Sequence, residues 1–320
     1  MFSYRSWNDE KGASVDMQKR TLKSGIELSE LGLGCMSLGT DYQHAEGIIE
    51  RALDNGITYF DTADVYDKGV NEEIVGKALK KYQNRDDIVI GTKVGNHRQA
   101  DGSTFWDPSK DYIKSEVKES LRRLDLDHLD LYQLHGGTID DPLDETISAF
   151  DELKQEGIIR AYGISSIRPN VIDYYLKHSD IETLMSQFNL IDNRPESLME
   201  DVNQKDVKVL ARGPVFKGLL TSNSNQALDD KFAEGIFDYS YQELGETIAS
   251  IKEVESNLTA LTFNYLLNQK PMGSIIIGAS SPEQVDENVK NFERAKEISR
   301  DMVKAARNRV KDEEYTNHLR

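Results

Sequence analysis

Four side chains in the first half of the chain have the types and spacing needed to donate a proton to a carbonyl group. They are Asp61, Tyr66, Lys93 and His135, each at or just after the end of a short apolar segment. A tyrosine has an ordinary pKa of about 10, so it is a poor acid at neutral pH unless its phenolate is stabilised. A nearby ammonium stabilises the phenolate, a carboxylate keeps the ammonium charged, and a neutral imidazole stabilises negative charge on the carbonyl oxygen. The four residues therefore predict a carbonyl-reducing site in which Tyr66 is the proton donor.

Each of these residues, taken alone, has an ordinary structural explanation. An aspartate at the end of a strand commonly caps a turn, and a lone lysine is commonly a solvated charge at a rim. A histidine within an apolar segment is more often a core group than a catalyst. The four residues together favour proton donation to a carbonyl more strongly than any one of them does alone. They can act together only if the fold brings them close to one another.

Alternating strand and helix patterns supply such a fold. Apolar residues in 45–53 recur at the spacing of a helix packed on a sheet, and Asn55-Gly56 ends the pattern. A helix is expected to open at Asp141-Pro142, as N-cap and first residue, and others to begin at Pro169 and Pro195. The predicted strands are 31–35, 57–62, 88–93, 129–135, 159–165, 184–190, 207–212 and 274–280.

Eight such units, with no hairpin signal between them, predict an α/β protein with a closed (β/α)8 TIM barrel. An open dinucleotide-binding sheet is disfavoured because LGLGCMSLGT (31–40) lacks the third glycine and the later acidic residue of its fingerprint. Segment 19–32 predicts a small hairpin before the barrel. Segments 94–108 and 221–235 are interpreted as loops, and a last charged helix is expected near 294–311. We expect a single domain over 17–320, with 1–16 a disordered extension.

Composition narrows the range of partners. The formal net charge of −17 disfavours nucleic acids and anionic membranes. Cys35 is the only cysteine and the histidines lack metal-ligand spacing, so no disulfide and no metal site are expected. The chain has no apolar stretch of membrane-spanning length and no signal-peptide core, which predicts a cytoplasmic protein. The four-residue set predicts that its partner is a small-molecule carbonyl substrate. The oligomeric state and the substrate itself are not predicted.

Several motifs resemble those of the aldo-keto reductases, from Lys19 to about Asn291. FDTADVYDKGVNEEIVGKAL (60–79) matches the family signature, TKV (92–94) its lysine motif and QLH (133–135) its histidine motif. GLGCMSLG (32–39) resembles the opening strand and loop of the bacterial and potassium-channel-β-like branches. GIIRAYGISS (157–166) and SQFNLIDNRPE (186–196) follow in the family's order. The resemblance implies NAD(P)H-dependent reduction of an aldehyde or ketone, with Asp61, Tyr66, Lys93 and His135 catalytic.

The resemblance also implies where the cofactor would lie, with NADPH expected first and NADH not excluded. The nicotinamide would meet the strand ends, the pyrophosphate the loop that follows 207–212, and the adenosine the start of the helix after 274–280. A helix N-terminus capped by Ser280 or Ser281 offers free N–H groups to a phosphate. The expected contacts are Met36, Asp61, Ser165, Ser166, Gln187, Arg212, Gly213, Pro214, Lys217, Gly218, Gly278, Ser280, Gln284, Glu287 and Asn288.

The sequence departs from the family pattern in four respects. Ser166 replaces the usual asparagine, and Arg212 replaces an aromatic ring that stacks on the nicotinamide. Gly136-Gly137 replaces the common Trp-Pro, which removes a wall of the substrate pocket. Gly278 and Gln284 stand where many members have lysine and arginine for the 2′-phosphate of NADPH.

Two other interpretations compete with the reductase. One is an NADPH-binding regulatory or sensor subunit with vestigial activity, which the complete set of four residues disfavours. The other is a barrel enzyme in which Lys93 forms a Schiff base. A lysine beside Asp61 should stay protonated and be a poor nucleophile, which makes this the weaker alternative.

Overall fold

The computed structural model describes residues 17–82, 87–99 and 101–319, so the extension predicted for 1–16 lies outside the described residues. Eight parallel strands close into a barrel in chain order, and helices surround it, which confirms the (β/α)8 prediction. The barrel strands are β3 (Leu31–Gly34), β4 (Tyr59–Asp61), β5 (Val89–Val94), β8 (Leu129–Leu134), β9 (Ile159–Ser165), β10 (Thr183–Gln187), β11 (Lys208–Arg212) and β12 (Met272–Gly278).

The predicted N-terminal hairpin closes the bottom of the barrel. Its strands, β1 (Lys19–Thr21) and β2 (Glu27–Ser29), are antiparallel. Leu22, Ile26 and Leu28 of the hairpin join the apolar cluster that fills the barrel interior. Because this end is plugged with apolar side chains, the opposite end, where the strands finish, is the one open to a substrate.

The helices pack their apolar stripes on the outside of the strands. In the first of them, the five residues predicted to face inward are all buried, and the Asp41 side chain accepts from His44 N–H to cap its start. Such a stripe forms because residues three and four apart share one helix face. The helices are α1 (Tyr42–Asp54), α2 (Val70–Leu79), α3 (Lys110–Leu124), α4 (Leu143–Gln155), α5 (Pro169–His178), α6 (Met199–Gln204), α7 (Ser224–Lys231), α8 (Tyr241–Val254), α9 (Leu258–Leu267), α10 (Pro282–Glu297) and α11 (Arg300–Arg307).

Two segments interpreted as loops have regular structure, and both predictions were wrong. Segment 94–108 contains an antiparallel hairpin of β6 (Asn96–Arg98) and β7 (Thr104–Trp106), so a hairpin does interrupt the alternation. Segment 221–235 contains α7, whose buried residues Ala227 and Leu228 were concealed by its polar composition. The hairpin contacts Asp141, far along the chain, and α7 packs on α8 and on the turn after β11, and a local pattern reveals neither contact.

Three helix boundaries also differ from the prediction. A 3-10 turn spans 194–198, and α6 begins at Met199 rather than at Pro195. The last charged helix, expected near 294–311, begins at Arg300, because 294–297 still belong to α10 and the Ser299 side chain caps the new start by accepting from Met302 N–H. Asp141 does not cap α4, which has Pro142 at its N-cap position. The Asp141 carboxylate instead accepts hydrogen bonds from Thr138 N–H and from the indole of Trp106.

Candidate active site

The four residues singled out for chemistry come together at the open end of the barrel. Asp61 ends β4, Lys93 lies near the end of β5, and His135 directly follows β8. These three strands are neighbours in the barrel. Tyr66 lies in the short 3-10 turn 66–69 that follows β4. Residues 74 positions apart in sequence thus become neighbours in space.

The ammonium of Lys93 is the hub of this cluster. Its Nζ donates to Asp61 Oδ2 at 2.6 Å, to the Thr62 carbonyl oxygen at 2.6 Å and to the Tyr66 hydroxyl at 3.4 Å. Lys93 is only 1% exposed. Burial by itself lowers the pKa of a lysine, but the interactions with Asp61 and Tyr66 together outweigh it and the pKa of Lys93 is raised. The side chain is therefore held charged beneath the tyrosine.

Tyr66 is largely buried above that charge. Burial raises the pKa of its hydroxyl, and the Lys93 ammonium pulls the pKa in the opposite direction. The net direction is upward, so the hydroxyl keeps its proton at neutral pH and has a proton to give. The ammonium stabilises the phenolate that remains once the proton has left.

His135 completes the cluster as a neutral imidazole. Its ring lies edge-on to that of Tyr66, with centroids 6.0 Å apart and planes at 82°. Burial lowers the pKa of His135 to about 3, and the charges of Lys93 and Arg212 act in the same direction. Nδ1 has no hydrogen-bond partner among the described residues. An uncharged imidazole carries one N–H, which suits hydrogen bonding to a substrate oxygen.

The loop that carries Tyr66 is fixed by a residue for which the sequence analysis gave no role. Asn71, fully buried at the start of α2, accepts from Thr62 Oγ1 at 2.7 Å and donates to the Cys35 carbonyl at 2.8 Å. Asp67 and Lys68, directly after the tyrosine, have left-handed backbone angles, with φ of 47° and 60°. Such conformations persist where surrounding contacts hold them. Asn71 lies in the family signature, which was the available signal.

A second buried network supports the lysine strand. Glu72 accepts from Thr92 Oγ1 at 2.6 Å and from Arg123 Nε at 2.6 Å. Thr92 immediately precedes Lys93, so this network ties the end of β5 to α2 and α3. From below, the Tyr59 hydroxyl donates to Asp61 Oδ1 at 3.3 Å. The carboxylate is thereby held on one side by the lysine and on the other by the phenol.

Beside the four residues, Gln187 and Arg212 are joined in one polar chain. Arg212 Nη1 donates to Gln187 Oε1 at 3.2 Å, and Gln187 Nε2 donates to Asp192 Oδ2 at 2.7 Å. Arg194 pairs with both oxygens of Asp192, at 2.7 and 2.9 Å. The amide of Gln187 is therefore oriented by two charged groups. Asp192 and Arg194 were missed, because a short polar loop gives no periodic signal.

The remaining residues expected near the nicotinamide lie at or after the ends of β3, β9 and β11. Ser165 ends β9 and is buried, as is Ser166, whose Oγ accepts from Arg168 N–H. Gly213 and Pro214 directly follow β11, the glycine exposed and the proline buried. Met36 lies in a 3-10 turn after β3 with 65% of its surface exposed.

A cleft of about 570 Å³ extends from the ends of β11 and β12. Its floor includes Ser37, and α7 contributes Gln226, Asp230 and Lys231. The helix predicted to bind phosphate begins here, capped by Ser281 rather than Ser280. Residues predicted to contact the cofactor line much of the cleft: Lys217, Gly218, Gly278, Ser280, Gln284, Glu287 and Asn288.

Side chains in the cleft are partly committed to one another. Gln284 Oε1 accepts from Ser280 N–H at 2.8 Å, and Asn288 Nδ2 donates to the Gly278 carbonyl at 3.3 Å. Lys231 Nζ donates to the Lys217 carbonyl at 2.7 Å. These contacts fix the rim of the cleft and leave the ammonium of Lys217 exposed toward it.

Groups suited to other ligands are not evident in the described ranges. No cluster of histidine, cysteine and acidic residues there could hold a metal ion. None of the helices between 17 and 319 that the structure describes is long and apolar enough to cross a membrane.

Comparisons with known proteins place the chain in a family. The model of the aldo/keto reductase family matches residues 30–308. The uncharacterized oxidoreductase YqkF of Bacillus subtilis (strain 168) is 49% identical over 308 residues, covering 94% of this chain and 99% of that protein. The NADH-specific methylglyoxal reductase of Escherichia coli (strain K12) is 30% identical over 293 residues, covering 82% of this chain and 90% of that protein.

A solved structure agrees with these matches. Aldo-keto reductase AKR11C1 from Bacillus halodurans, in its holo form, has a TM-score of 0.87 and 47% identity, covering 95% of this chain and 100% of that one. The family match runs from the start of β3 to the end of α11, so it contains both the buried cluster and the cleft. The resemblance inferred from the motifs is confirmed, and this chain belongs to the aldo/keto reductase family, a family of oxidoreductases.

Proposed function

We propose that this protein reduces an aldehyde or ketone to an alcohol, with Tyr66 as the proton donor and a nicotinamide cofactor as the source of hydride. The observation that carries the proposal is the buried hub at Lys93, whose ammonium contacts both Asp61 and the Tyr66 hydroxyl. A lysine held charged beneath a tyrosine is what proton donation by a phenol requires.

The proton moves from the Tyr66 hydroxyl to the carbonyl oxygen of the substrate. Lys93 stabilises the phenolate left behind, and Asp61 keeps Lys93 charged and in place. His135, uncharged, donates a hydrogen bond to the same carbonyl oxygen and stabilises the negative charge that develops there. Solvent returns the proton to Tyr66 after the alcohol departs.

The residues of the mouth and the cleft fit an extended dinucleotide. A phosphate suits the start of α10, where Ser281 caps the helix and the dipole is positive. Gly213, Pro214, Lys217 and Gly218 would hold the pyrophosphate, and Gly278, Ser280, Gln284, Glu287 and Asn288 the adenosine end. When bound, the cofactor supplies the hydride.

The nicotinamide end would contact the residues near the four-residue cluster. Ser165, Ser166 and Gln187 would bind its amide, and Met36, Asp61 and Arg212 would enclose its ring. The planar guanidinium of Arg212, held by Gln187, can cover a ring where other members have an aromatic side chain.

The choice of cofactor is the finer part of the proposal. NADPH is the first candidate, because it is the cofactor that the family resemblance implies. NADH is kept as the alternative, because Gly278 and Gln284 carry no charge and the similar Escherichia coli protein is described as NADH-specific.

Titration of the protein with NADPH and with NADH, followed by cofactor oxidation with a panel of carbonyls, tests the proposal. We expect micromolar binding of NADPH and steady turnover with a reactive aromatic aldehyde. Tight cofactor binding with negligible turnover across the panel would contradict the proposal and support the regulatory subunit instead.

A further inference from the structure

The indole of Trp106 lies at the open end of the barrel and is held there by contacts with two other segments. Trp106 ends β7, and its backbone pairs with Asn96, so the hairpin returns it to the end of β5. Its Nε1–H donates to Asp141 Oδ2 at 2.9 Å. Asp141 is fixed in turn by Thr138, whose N–H and hydroxyl donate to it at 2.7 and 2.8 Å. The ring is thus held from two directions.

Two glycines make room for that ring. A Cβ added to Gly95 would lie 2.5 Å from Cζ3 of Trp106, and one added to Gly136 would lie 3.3 Å from Cη2. The first distance is shorter than real Cβ contacts allow, so a side chain at Gly95 would displace the indole. Both glycines also have positive φ, of 125° and 147°. The indole therefore covers the backbone at the ends of β5 and β8.

Those strand ends carry the reacting groups. Gly95 comes two residues after Lys93, and Gly136 directly follows His135. The two ends are joined by a hydrogen bond from His135 N–H to the Val94 carbonyl at 2.7 Å. The indole therefore lies on the joined backbone directly beside His135 and two residues from Lys93.

From this placement we infer that Trp106 forms the wall of the substrate pocket and selects carbonyls with an aryl or branched alkyl substituent over polyhydroxylated ones. The inference rests on the proposed function, which it makes more specific. The wall usually supplied after the family histidine is missing at Gly136-Gly137, and the hairpin supplies a substitute from another part of the chain.

The surroundings of the indole support an apolar substituent. Ile139 and Ile167 are 45% and 41% exposed, which is unusual for large apolar side chains. Arg168 donates from its guanidinium to the Gly137 carbonyl, so the loops that carry the two isoleucines are joined. These loops follow β8 and β9 at the open end of the barrel, where exposed apolar side chains favour a ligand-binding rim.

Phe105 provides a matched control on the same hairpin. Its ring stacks on that of His97, with centroids 4.7 Å apart, and His97 stacks on Tyr112 at 4.1 Å. Phe105 is thus engaged away from Gly95 and Gly136. Truncating it removes an aromatic group of similar size from the hairpin without opening the space beside His135.

The first test compares Trp106→Ala, Trp106→Phe and Phe105→Ala by steady-state kinetics. For an aromatic aldehyde we expect Trp106→Ala to raise KM about tenfold or more, with kcat on a two-carbon aldehyde and the cofactor dissociation constant within about twofold of wild type. Trp106→Phe should be intermediate, and Phe105→Ala should resemble wild type. The inference would be overturned if Trp106→Ala reduced kcat/KM equally for both aldehydes or did not reduce it at all. It would also be overturned if Phe105→Ala reduced kcat/KM for the aromatic aldehyde as much as Trp106→Ala does.

A second test does not need turnover. The sequence has two tryptophans, so Trp7→Phe leaves Trp106 as the only indole. Adding an aromatic carboxylate to the complex of this variant with NADP+ should quench and shift its fluorescence, and acetate should not. Quenching without turnover in any assay would contradict the proposed function but support Trp106 as the pocket wall. Turnover without quenching would support the proposed function and contradict the role of Trp106. If Trp106→Ala does not fold, Trp106→Phe and the fluorescence decide.

Discussion

The two halves of the barrel mouth are built differently. On the side of β4, β5 and β8, the charged groups Asp61 and Lys93 are buried and bonded to each other. On the side of β11 and β12, Lys217, Gln284 and Glu287 are exposed on the walls of an open cleft. The first half buries the charged pair beneath the partly exposed Tyr66, and the second leaves its polar groups in water.

Because of this difference, substitutions in the two halves should have effects of different size. Electrostatic interactions are strong where burial lowers the local dielectric, so changing one group on the buried side should cost much. Exposed charges are screened, so changes in the cleft should cost little and adjust affinity.

The largest effect is expected at the hydroxyl of Tyr66. Tyr66→Phe should lower kcat by about 100-fold to 10,000-fold, because it removes the donated proton and little else. Cofactor affinity, measured by fluorescence titration, should stay within about twofold. Tyr174→Phe, which removes an exposed hydroxyl bonded to Asp144, is the control. Full activity in the Tyr66 variant would refute the assignment of the proton donor.

Asp61→Asn should show how much the buried ion pair between Asp61 and Lys93 matters for stability. The substitution leaves the Lys93 ammonium buried without a counter-charge, so the free energy of unfolding should fall by about 3 to 5 kcal/mol. Urea denaturation measures this change. Asp173→Asn, at a surface pair with Lys177, should change the free energy by less than about 1 kcal/mol. Equal stability of the two variants would remove the contrast between the buried and exposed regions.

An intermediate effect is expected at the junction between the two halves. Asp192→Asn weakens the charged partner of Gln187 and Arg194, so the Gln187 amide is less well oriented. The cofactor dissociation constant should rise about tenfold, and kcat should change little. Glu200→Gln, at an exposed position on α6, serves as the control. A fall in kcat with unchanged affinity would show that Asp192 acts on the reaction rather than on cofactor binding.

The cleft should respond weakly. Lys217→Met should raise the NADPH dissociation constant about threefold to tenfold, and the difference from wild type should shrink as salt is added, because an exposed charge is screened. Lys205→Met, exposed at the other end of the barrel wall, should have no effect. A loss for Lys217→Met that persists in high salt would indicate a direct, desolvated contact.

The smallest expected effect is that of pH on the rate of reduction. His135, with its pKa lowered to about 3, stays neutral from acidic to alkaline pH. Tyr66 has its pKa raised above the ordinary value of about 10 and so stays protonated until strongly alkaline conditions. The reduction rate, measured with saturating cofactor, should be flat between about pH 5 and about pH 9 and fall only above that. A fall centred near neutral pH would mean that another group controls proton transfer.

Much of this architecture could be read from the sequence because local patterns encode it. The helix spacing of 45–53 and the alternation of segments predicted the barrel, and all eight predicted strands overlap the barrel strands that form. The positions of Asp61, Lys93 and His135 at strand ends followed from the same alternation, since parallel strands finish at one edge. Residue types then indicated the chemistry.

What the pattern did not show depends on contacts between distant segments. The polar composition of 221–235 hides α7, whose Ala227 and Leu228 are buried where it packs on α8 and on the turn after β11. Asp141 has the sequence context of a helix cap, but its carboxylate instead accepts hydrogen bonds from the indole of Trp106 and the N–H of Thr138. Asn71 and Asp192 are small polar residues with many possible partners, and only the folded chain selects one.

The sequence by itself determined the class of fold and the four residue types at the strand ends, because periodicity and spacing are properties of neighbouring residues. Tertiary structure alone decided that Lys93 contacts both Asp61 and Tyr66, that Gln187 is oriented by Asp192, and that Trp106 covers Gly95 and Gly136. These are pairings between segments far apart in the chain. They exist only once the barrel has closed and burial has fixed which groups meet.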